Sequence, residues 1–285
     1  MSTRAHSTQQ AAARAATEGG LRVAAVQMAS GPTVSANLTE AEVLIRLAAR
    51  QGARLVVLPE YFAILGLRDS DKVAVREQPG HGPIQDFLSR TAKKLGIWLV
   101  GGSVPLWTED PVKVRNTTLV FDDKGQLAAR YDKIHLFGFE MGGETYREEA
   151  TITAGDEIVV FDSPFGRVGL GICYDLRFPE LFRRMQAVDV LVVPAAFTET
   201  TGRAHWETLV RARAIENLAY VIASAQGGFH RNGRETHGDS MIVDPWGIVL
   251  DRLPRGSGVV VAEIDRDYQA RLRQSLPALS HRVFS

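Results

Sequence analysis

Cysteine is almost absent from this sequence of 285 residues, in which Cys173 is the only thiol. Because one cysteine cannot form a disulfide within the chain, a disulfide-stapled fold is excluded, and we expect a reducing, cytoplasmic location. Net charge is absent too, since 33 Lys and Arg balance 33 Asp and Glu. Without a field that attracts polyanions, we expect neither nucleic acid nor a membrane surface as a partner. No apolar run approaches the roughly 20 residues of a membrane-spanning helix.

The first 20 residues offer almost nothing that a core could bury. They consist mainly of Ala, Ser, Thr, Gln and Arg, and we predict a disordered tail over residues 1–20. The composition of the chain, 45% apolar and 23% charged, is otherwise typical of a folded protein. No linker rich in Pro, Gly or Ser interrupts residues 21–285, which we therefore predict to form one domain.

Short β-branched runs alternate with amphipathic helical segments along residues 21–285, which is the order of an α/β fold. Strands are predicted over residues 21–28, 53–59, 97–104, 117–122, 167–172, 188–194, 219–224, 240–244 and 258–264. Several of these runs are apolar at successive positions, as in strands that are covered on both faces. We therefore predict internal sheets with helices on the outside.

The segment GLGICYDLRFPEL, residues 169–181, carries the strongest local signal. A buried strand leads directly into Cys173, and Pro179 followed by Glu180 is typical of a first helical turn. A strand-to-helix turn exposes its side chain at the end of a sheet and leaves backbone N–H groups free to bind an oxyanion. Cys173 is therefore a candidate nucleophile, and the alternative is a small apolar residue of the core.

Two charged residues stand where other predicted strands end. Glu60 follows an apolar run and a proline in VVLPEYF, and Lys133 lies among aromatic and apolar residues in RYDKIHLFGFE. Because a thiol attacks carbonyls well only as the thiolate, it needs a carboxylate to take its proton or a cation to stabilise the anion. Glu60 and Lys133 are candidates for these roles. The alternatives are a turn or cap for the carboxylate and a surface position for the lysine.

Three segments, LPEYF, YDKIHLF and GICYDLRFPEL, resemble the signatures of the nitrilase superfamily of carbon–nitrogen hydrolases, in the same order along the chain. The resemblance implies that Glu60 is the general base, Lys133 the family's lysine, Cys173 the nucleophile and Glu148 a second glutamate near the site. Glu149 follows where the family commonly has serine, which leaves open which acid faces inward. The family's fold is a four-layer α-β-β-α sandwich. Its members form homodimers or larger homo-oligomers, and the chemistry requires neither a metal nor a cofactor.

Two further segments, FTETTGRAHWETLVRARAIEN and HGDSMIVDPWG, are similar to the superfamily branch that holds deaminated glutathione amidase and omega-amidase. That branch removes the amide from 2-oxo acid amides, so the expected reaction converts deaminated glutathione to 2-oxoglutarate and Cys-Gly through a thioester. Omega-amidase activity on 2-oxoglutaramate, N-carbamoyl hydrolysis and nitrile hydrolysis stay open. Arg203, near the expected mouth of the pocket, stands where the branch commonly has proline. Outside the enzymes, a non-catalytic binding or assembly module of the same fold is the alternative.

The carboxylate of such a small-molecule amide needs a cation in the pocket. Arg177 is the first candidate because its planar guanidinium matches a carboxylate, and an ion pair with a neighbouring acid is its structural alternative. Phe197 and Thr198 follow a predicted strand and are expected to line the same pocket. The backbone N–H of Tyr174 is expected to hold the oxyanion together with Lys133.

Overall fold

The described chain alternates strands and helices. The computed structural model describes residues 21–283, so the tail predicted over residues 1–20 lies outside the described residues. The strands are β1 (Leu21–Gln27), β2 (Leu55–Val57), β3 (Trp98–Val100), β4 (Val104–Trp107), β5 (Val114–Phe121), β6 (Leu127–Asp132), β7 (Gly138–Met141), β8 (Glu144–Arg147), β9 (Val160–Ser163), β10 (Gly166–Leu170), β11 (Val190–Ala195), β12 (Tyr220–Ala225), β13 (Gly227–Phe229), β14 (Glu235–His237), β15 (Ser240–Val243), β16 (Val249–Leu253) and β17 (Gly258–Ile264). The α-helices are α1 (Val34–Arg50), α2 (Asp71–Ala74), α3 (Pro83–Leu95), α4 (Pro179–Arg184), α5 (Glu199–Asn217) and α6 (Arg266–Ser275). Within residues 21–283, no helix combines the length and apolarity that crossing a bilayer requires.

Most of the strands form two mixed sheets. The first sheet has the order β17-β1-β2-β3-β5-β4, with β6 paired to β5, and the second has the order β16-β15-β12-β11-β10-β9. The central strands β1, β2 and β3 run parallel, as do β10, β11 and β12 in the second sheet. The short pairs β7-β8 and β13-β14 form separate hairpins.

The two sheets pack against each other because their central strands are apolar on both faces. Val23 and Ala25 of β1 share one core with residues of the second sheet, and β1 lies against β12 and β15. The alternate residues Ala24 and Val26 belong to the core beneath α1 and α3. On the second sheet, α5 packs against β12 and β15. The layers therefore follow the order α-β-β-α, and the predicted four-layer sandwich is confirmed.

The single strand predicted over residues 97–104 is wrong. The chain forms β3 over Trp98–Val100 and begins β4 only at Val104. Between them Gly102 has a φ of +51°, which favours glycine, and a Cβ at this position would overlap the carbonyl oxygen of Pro59. The break brings this segment close to the end of β2, just before Glu60.

Candidate active site

Each sequence-predicted catalytic residue lies within three residues of the end of a strand. Glu60 lies three residues after β2, and Lys133 comes directly after β6. Cys173 begins a 3-10 helix, Cys173–Arg177, that follows β10, and Glu148 begins another, Glu148–Ala150, after the hairpin β7-β8. Because β2 and β10 belong to different sheets, the site lies where the two layers of the sandwich meet.

The turn that holds Cys173 has the predicted strand-to-helix geometry. Cys173 has a φ of +49°, a left-handed conformation that a side chain adopts only when its surroundings enforce it. The buried Asp175 enforces it by accepting hydrogen bonds from the Ile172 N–H at 2.8 Å and the Tyr131 hydroxyl at 2.7 Å. The helix α4 then starts with Pro179 in its first turn. The turn is therefore fixed by a buried carboxylate.

Lys133 lies at the centre of a buried cluster of charges. Its Nζ lies 2.9 Å from Oε1 of Glu60, and 2.9 and 2.8 Å from the two carboxylate oxygens of Glu148. The lysine is fully buried, and Glu60 is only 1% exposed. An ammonium has three N–H groups, so these three contacts use its whole donor capacity. Glu148 is thus the acid that faces inward, while Glu149 is exposed.

Neutral donors complete the hydrogen bonding of both carboxylates. The Asn116 side-chain amide donates to Oε1 of Glu60 at 2.9 Å. Glu148 accepts from the Tyr61 hydroxyl at 2.8 Å and from the Phe137 backbone N–H at 2.7 Å. Asn116 and Tyr61 were not predicted from the sequence, although Tyr61 stands next to Glu60 in LPEYF.

The two glutamates of the cluster differ in acidity. Burial, opposed by the Lys133 ammonium, raises the pKa of the Glu60 carboxyl. Burial acts in the same direction on Glu148, but the Lys133 ammonium and the hydrogen bonds from Phe137 and Tyr61 hold its pKa below the usual range. Carboxyls with separated pKa values can take different parts in proton transfer. Glu60 is the better proton acceptor of the two, and Glu148 is the fixed anion.

The thiol itself is held in its neutral form. Burial and the neighbouring Glu60 carboxylate raise the pKa of the Cys173 thiol well above its usual value, against the effect of Lys133. Burial alone would lower the pKa of Lys133. The carboxylates of Glu148 and Glu60 nevertheless raise it well above its usual value, and Glu148 has the larger effect of the two. A charged ammonium therefore lies near a thiol that keeps its proton.

One pocket adjoins this cluster and is lined by the predicted substrate contacts. Tyr174, Arg177, Phe197 and Thr198 line the pocket together with Glu60, Glu148 and Cys173.

The Arg177 guanidinium stacks on two rings of the pocket and approaches His205. Its Cζ lies 5.4 Å from the Phe197 ring centre and 5.8 Å from that of Tyr174, and its Nη1 lies 3.3 Å from Nδ1 of His205. Asp175, a possible ionic partner, is instead bound to His135 at 2.7 Å. Within residues 21–283 no carboxylate pairs with Arg177, so the alternative of a structural ion pair is not seen.

Arg203 is not among the residues that line this pocket. Its side chain is 77% exposed and forms a 2.7 Å ion pair with Glu199, one turn earlier in α5. The residue that stands in place of proline therefore points into solvent. The expectation that it lies near the pocket mouth finds no support in the contacts it makes.

Arg234, which was not predicted from the sequence, does line the pocket. It lies in the loop of the hairpin β13-β14, and its Cζ lies 4.8 Å from the ring centre of Tyr146. An arginine in a short glycine-containing loop gives no local signal of this position. No group of His, Cys, Asp and Glu side chains within the described part of the chain is arranged to hold a metal ion.

The fold is that of the carbon–nitrogen hydrolases, and the model of that family matches residues 22–274. The chain belongs to the carbon–nitrogen hydrolase family. It is 46% identical to the deaminated glutathione amidase of Synechocystis sp. over 267 residues, which cover 92% of this chain and 97% of that protein. It is 40% identical to the omega-amidase NIT2 of Xenopus tropicalis over 260 residues, or 90% of this chain and 92% of that protein. Nit3 of Saccharomyces cerevisiae, a member of branch 10 of the nitrilase superfamily, is similar in structure, with a TM-score of 0.82 at 31% identity over 93% of this chain and 97% of that chain.

Proposed function

We propose that this protein hydrolyses the amide bond of deaminated glutathione, releasing 2-oxoglutarate and Cys-Gly, with Cys173 as nucleophile. The observation that carries the proposal is the buried cluster in which Lys133 binds both Glu60 and Glu148, because these two carboxylates line one pocket with the thiol. A neutral thiol next to a carboxylate of raised pKa has the chemistry that acyl transfer needs.

In the first half of the reaction the sulfur attacks the amide carbon while Glu60 takes the thiol proton. Proton uptake weakens Oε1 of Glu60 as an acceptor, and this frees one N–H of Lys133 to turn toward the oxyanion. The Tyr174 N–H, in the first turn of its 3-10 helix, is the second oxyanion donor. The tetrahedral intermediate collapses when Glu60 returns the proton to the leaving nitrogen. The amine departs, and a thioester remains.

In the second half Glu60, again a carboxylate, takes a proton from water as the oxygen attacks the thioester carbon. The carbon–sulfur bond breaks, the thiol regains its proton, and the carboxylic acid is released. Glu148 stays ionised throughout because Lys133, Tyr61 and the Phe137 N–H all stabilise its anion. Its role is to hold the ammonium in place, so it positions rather than reacts.

The acyl half of the substrate carries a carboxylate, which we assign to Arg177. Its guanidinium lines the pocket and is held by Phe197 and Tyr174 rather than by an acid. Phe197 and Thr198 form the adjoining wall. A carboxylate that leaves water for this pocket requires such a cation.

Omega-amidase activity on 2-oxoglutaramate is the second candidate. It is favoured by the likeness to the omega-amidase of Xenopus tropicalis and by the acyl group that both substrates share. The two activities differ only in the leaving group, Cys-Gly or ammonia.

Purified protein incubated with deaminated glutathione, 2-oxoglutaramate and a simple nitrile separates these functions. We expect release of 2-oxoglutarate and Cys-Gly from the first substrate, with a higher kcat/KM than for the second. A higher kcat/KM for 2-oxoglutaramate would assign omega-amidase activity instead. Folded protein that releases product from none of them would contradict the proposal, and a binding module of the same fold would then be favoured.

We further propose a cytoplasmic homodimer or larger homo-oligomer, with residues 21–285 as one hydrolase domain. The single cysteine supports the reducing compartment, and kinship with the family supports self-association. Light scattering of the purified chain measures the number of subunits directly, and a monomeric mass at micromolar concentration would contradict the assembly.

A further inference from the structure

Arg234 is a cation in the pocket without a full set of partners. Its Nε is buried, yet no hydrogen-bond acceptor of residues 21–283 lies within reach of it. The adjacent acid Glu235 pairs with Arg255 at 2.9 Å instead. A buried N–H without an acceptor is costly unless something else satisfies it. The residue therefore has the properties of an anion-binding group.

The loop that carries Arg234 is held in place by buried polar contacts. His230 is 6% exposed, and its ring nitrogens lie 2.9 Å from the Ser30 carbonyl oxygen and 2.8 Å from the Thr236 hydroxyl. Asn232 donates to the Gly66 carbonyl at 2.8 Å. Such anchoring keeps the guanidinium in one position before a ligand arrives, which reduces the entropy lost on binding.

The base defines which half of the substrate meets Arg234. Glu60 must lie within hydrogen-bonding reach of the leaving nitrogen to protonate it. Tyr61, the next residue, lines a second pocket together with Arg234, and this pocket adjoins the first. The amine half therefore extends from Glu60 past Tyr61 toward Arg234. Arg177, which stacks on Tyr174 and Phe197, is then the cation available to bind the acyl half.

We propose that Arg234 binds a carboxylate on the amine half of the substrate and so determines specificity. The inference rests on the proposed amidase function and names its substrate class: amides whose leaving amine carries a carboxylate, as a peptide does. Glu144 and Glu235 line the space beyond Arg234, so an anion is favoured at the guanidinium and disfavoured farther out. Arg177 and Arg234 then each bind one carboxylate of the substrate, one on each side of the scissile bond.

Three substrates with the same acyl group test this assignment. They are deaminated glutathione, its analogue with the glycine carboxylate amidated, and 2-oxoglutaramate. The variant is Arg234→Gln, and the matched control is Arg231→Gln, which removes an exposed arginine from the same loop. Arg234→Lys tests whether a positive charge without the guanidinium group keeps part of the preference for deaminated glutathione. Thermal unfolding of each variant checks that the fold is kept.

We expect Arg234→Gln to lower the kcat/KM ratio of deaminated glutathione to 2-oxoglutaramate by about tenfold or more, the effect of losing a charge-assisted hydrogen bond. The loss should appear mainly as a higher KM for deaminated glutathione. The unchanged protein should already have a lower kcat/KM for the amidated analogue than for deaminated glutathione, because the analogue lacks the carboxylate. Arg231→Gln should keep the ratio, and Arg234→Lys should recover part of it.

An equal loss for both substrates would overturn the inference, because a structural role affects them alike. A ratio unchanged by Arg234→Gln would overturn it too, while the proposed function stands as long as the protein hydrolyses these amides. If the unchanged protein releases 2-oxoglutarate from none of the three substrates, the proposed function itself has failed, and the inference falls with it.

Discussion

Replacing Lys133 with methionine removes the only cation that contacts both buried carboxylates within the described residues. Methionine is similar in volume but leaves Glu60 and Glu148 without the three contacts of 2.8–2.9 Å that the ammonium makes. Breaking a buried ion pair on one side costs about 3–5 kcal/mol of the free energy of unfolding. We expect a loss of this size at neutral pH, together with loss of turnover.

The loss should depend on pH. Without the ammonium, burial and mutual repulsion raise the pKa of both carboxyls. A carboxyl whose folded pKa is raised stabilises the protein below its unfolded pKa and loses this contribution as pH rises through the folded value. In the unchanged protein Glu148 behaves in the opposite way, because its pKa is lowered. The difference between Lys133→Met and the unchanged protein should therefore be large near about pH 8 and smaller near about pH 5.

Urea unfolding followed by circular dichroism at both pH values measures this difference. Lys72→Met is the matched control, since Lys72 contacts the Thr151 hydroxyl at 3.2 Å and pairs with no carboxylate of residues 21–283. Adding Glu148→Gln to Lys133→Met should restore part of the stability by removing one charge. A Lys133→Met protein as stable as the unchanged protein near about pH 8, or a loss that is the same at both pH values, would refute the coupled charge cluster.

Other residues of the site give further predictions. Glu60→Gln should lower kcat by about 10²–10⁴, the usual contribution of a general base, with an unchanged circular dichroism spectrum; near-normal kcat would exclude its role. Asp175→Asn should lower the free energy of unfolding by about 2 kcal/mol. The carboxylate oxygens of Asp175 accept hydrogen bonds from Ile172, Tyr131 and His135, and asparagine replaces one of these acceptors with an N–H donor. Urea unfolding measures this loss, and no change would contradict the described turn. Gly102→Ala should lower both Tm and kcat, because its Cβ overlaps the Pro59 carbonyl next to Glu60; an alanine variant with unchanged Tm would argue against the close approach.

The central strands were predictable because they are apolar on both faces. Val190–Ala195 and Tyr220–Ala225 are buried at every position, and such short apolar runs are typical of strands that are covered on both faces. The strand β6 was missed because its first four residues are exposed or half-buried and show no clear alternation. The hairpin β7-β8 was missed for the same reason, since both strands are largely exposed. Strands whose residues are mostly exposed therefore leave no hydrophobic pattern from which to predict them.

Proximity within the site was predictable only where segments carry a family signature. Glu60, Lys133 and Cys173 stand in such segments, and the structure places Glu60 and Cys173 in one pocket with Lys133 bound to Glu60. Whether Glu148 or Glu149 faces inward depends on a 3-10 turn, in which neighbouring residues point in different directions. Arg234 depends on how a hairpin folds back across Tyr61, which no local pattern encodes.

The most direct test of the central claim is the mass of the protein quenched during turnover. Deaminated glutathione and 2-oxoglutaramate share one acyl group, so both should give an adduct of the same mass on the peptide that contains Cys173. The adduct should disappear when the substrate is exhausted, and Cys173→Ala should neither form it nor release 2-oxoglutarate. Adducts of different mass, an adduct on another residue, or turnover by Cys173→Ala would contradict the thioester mechanism.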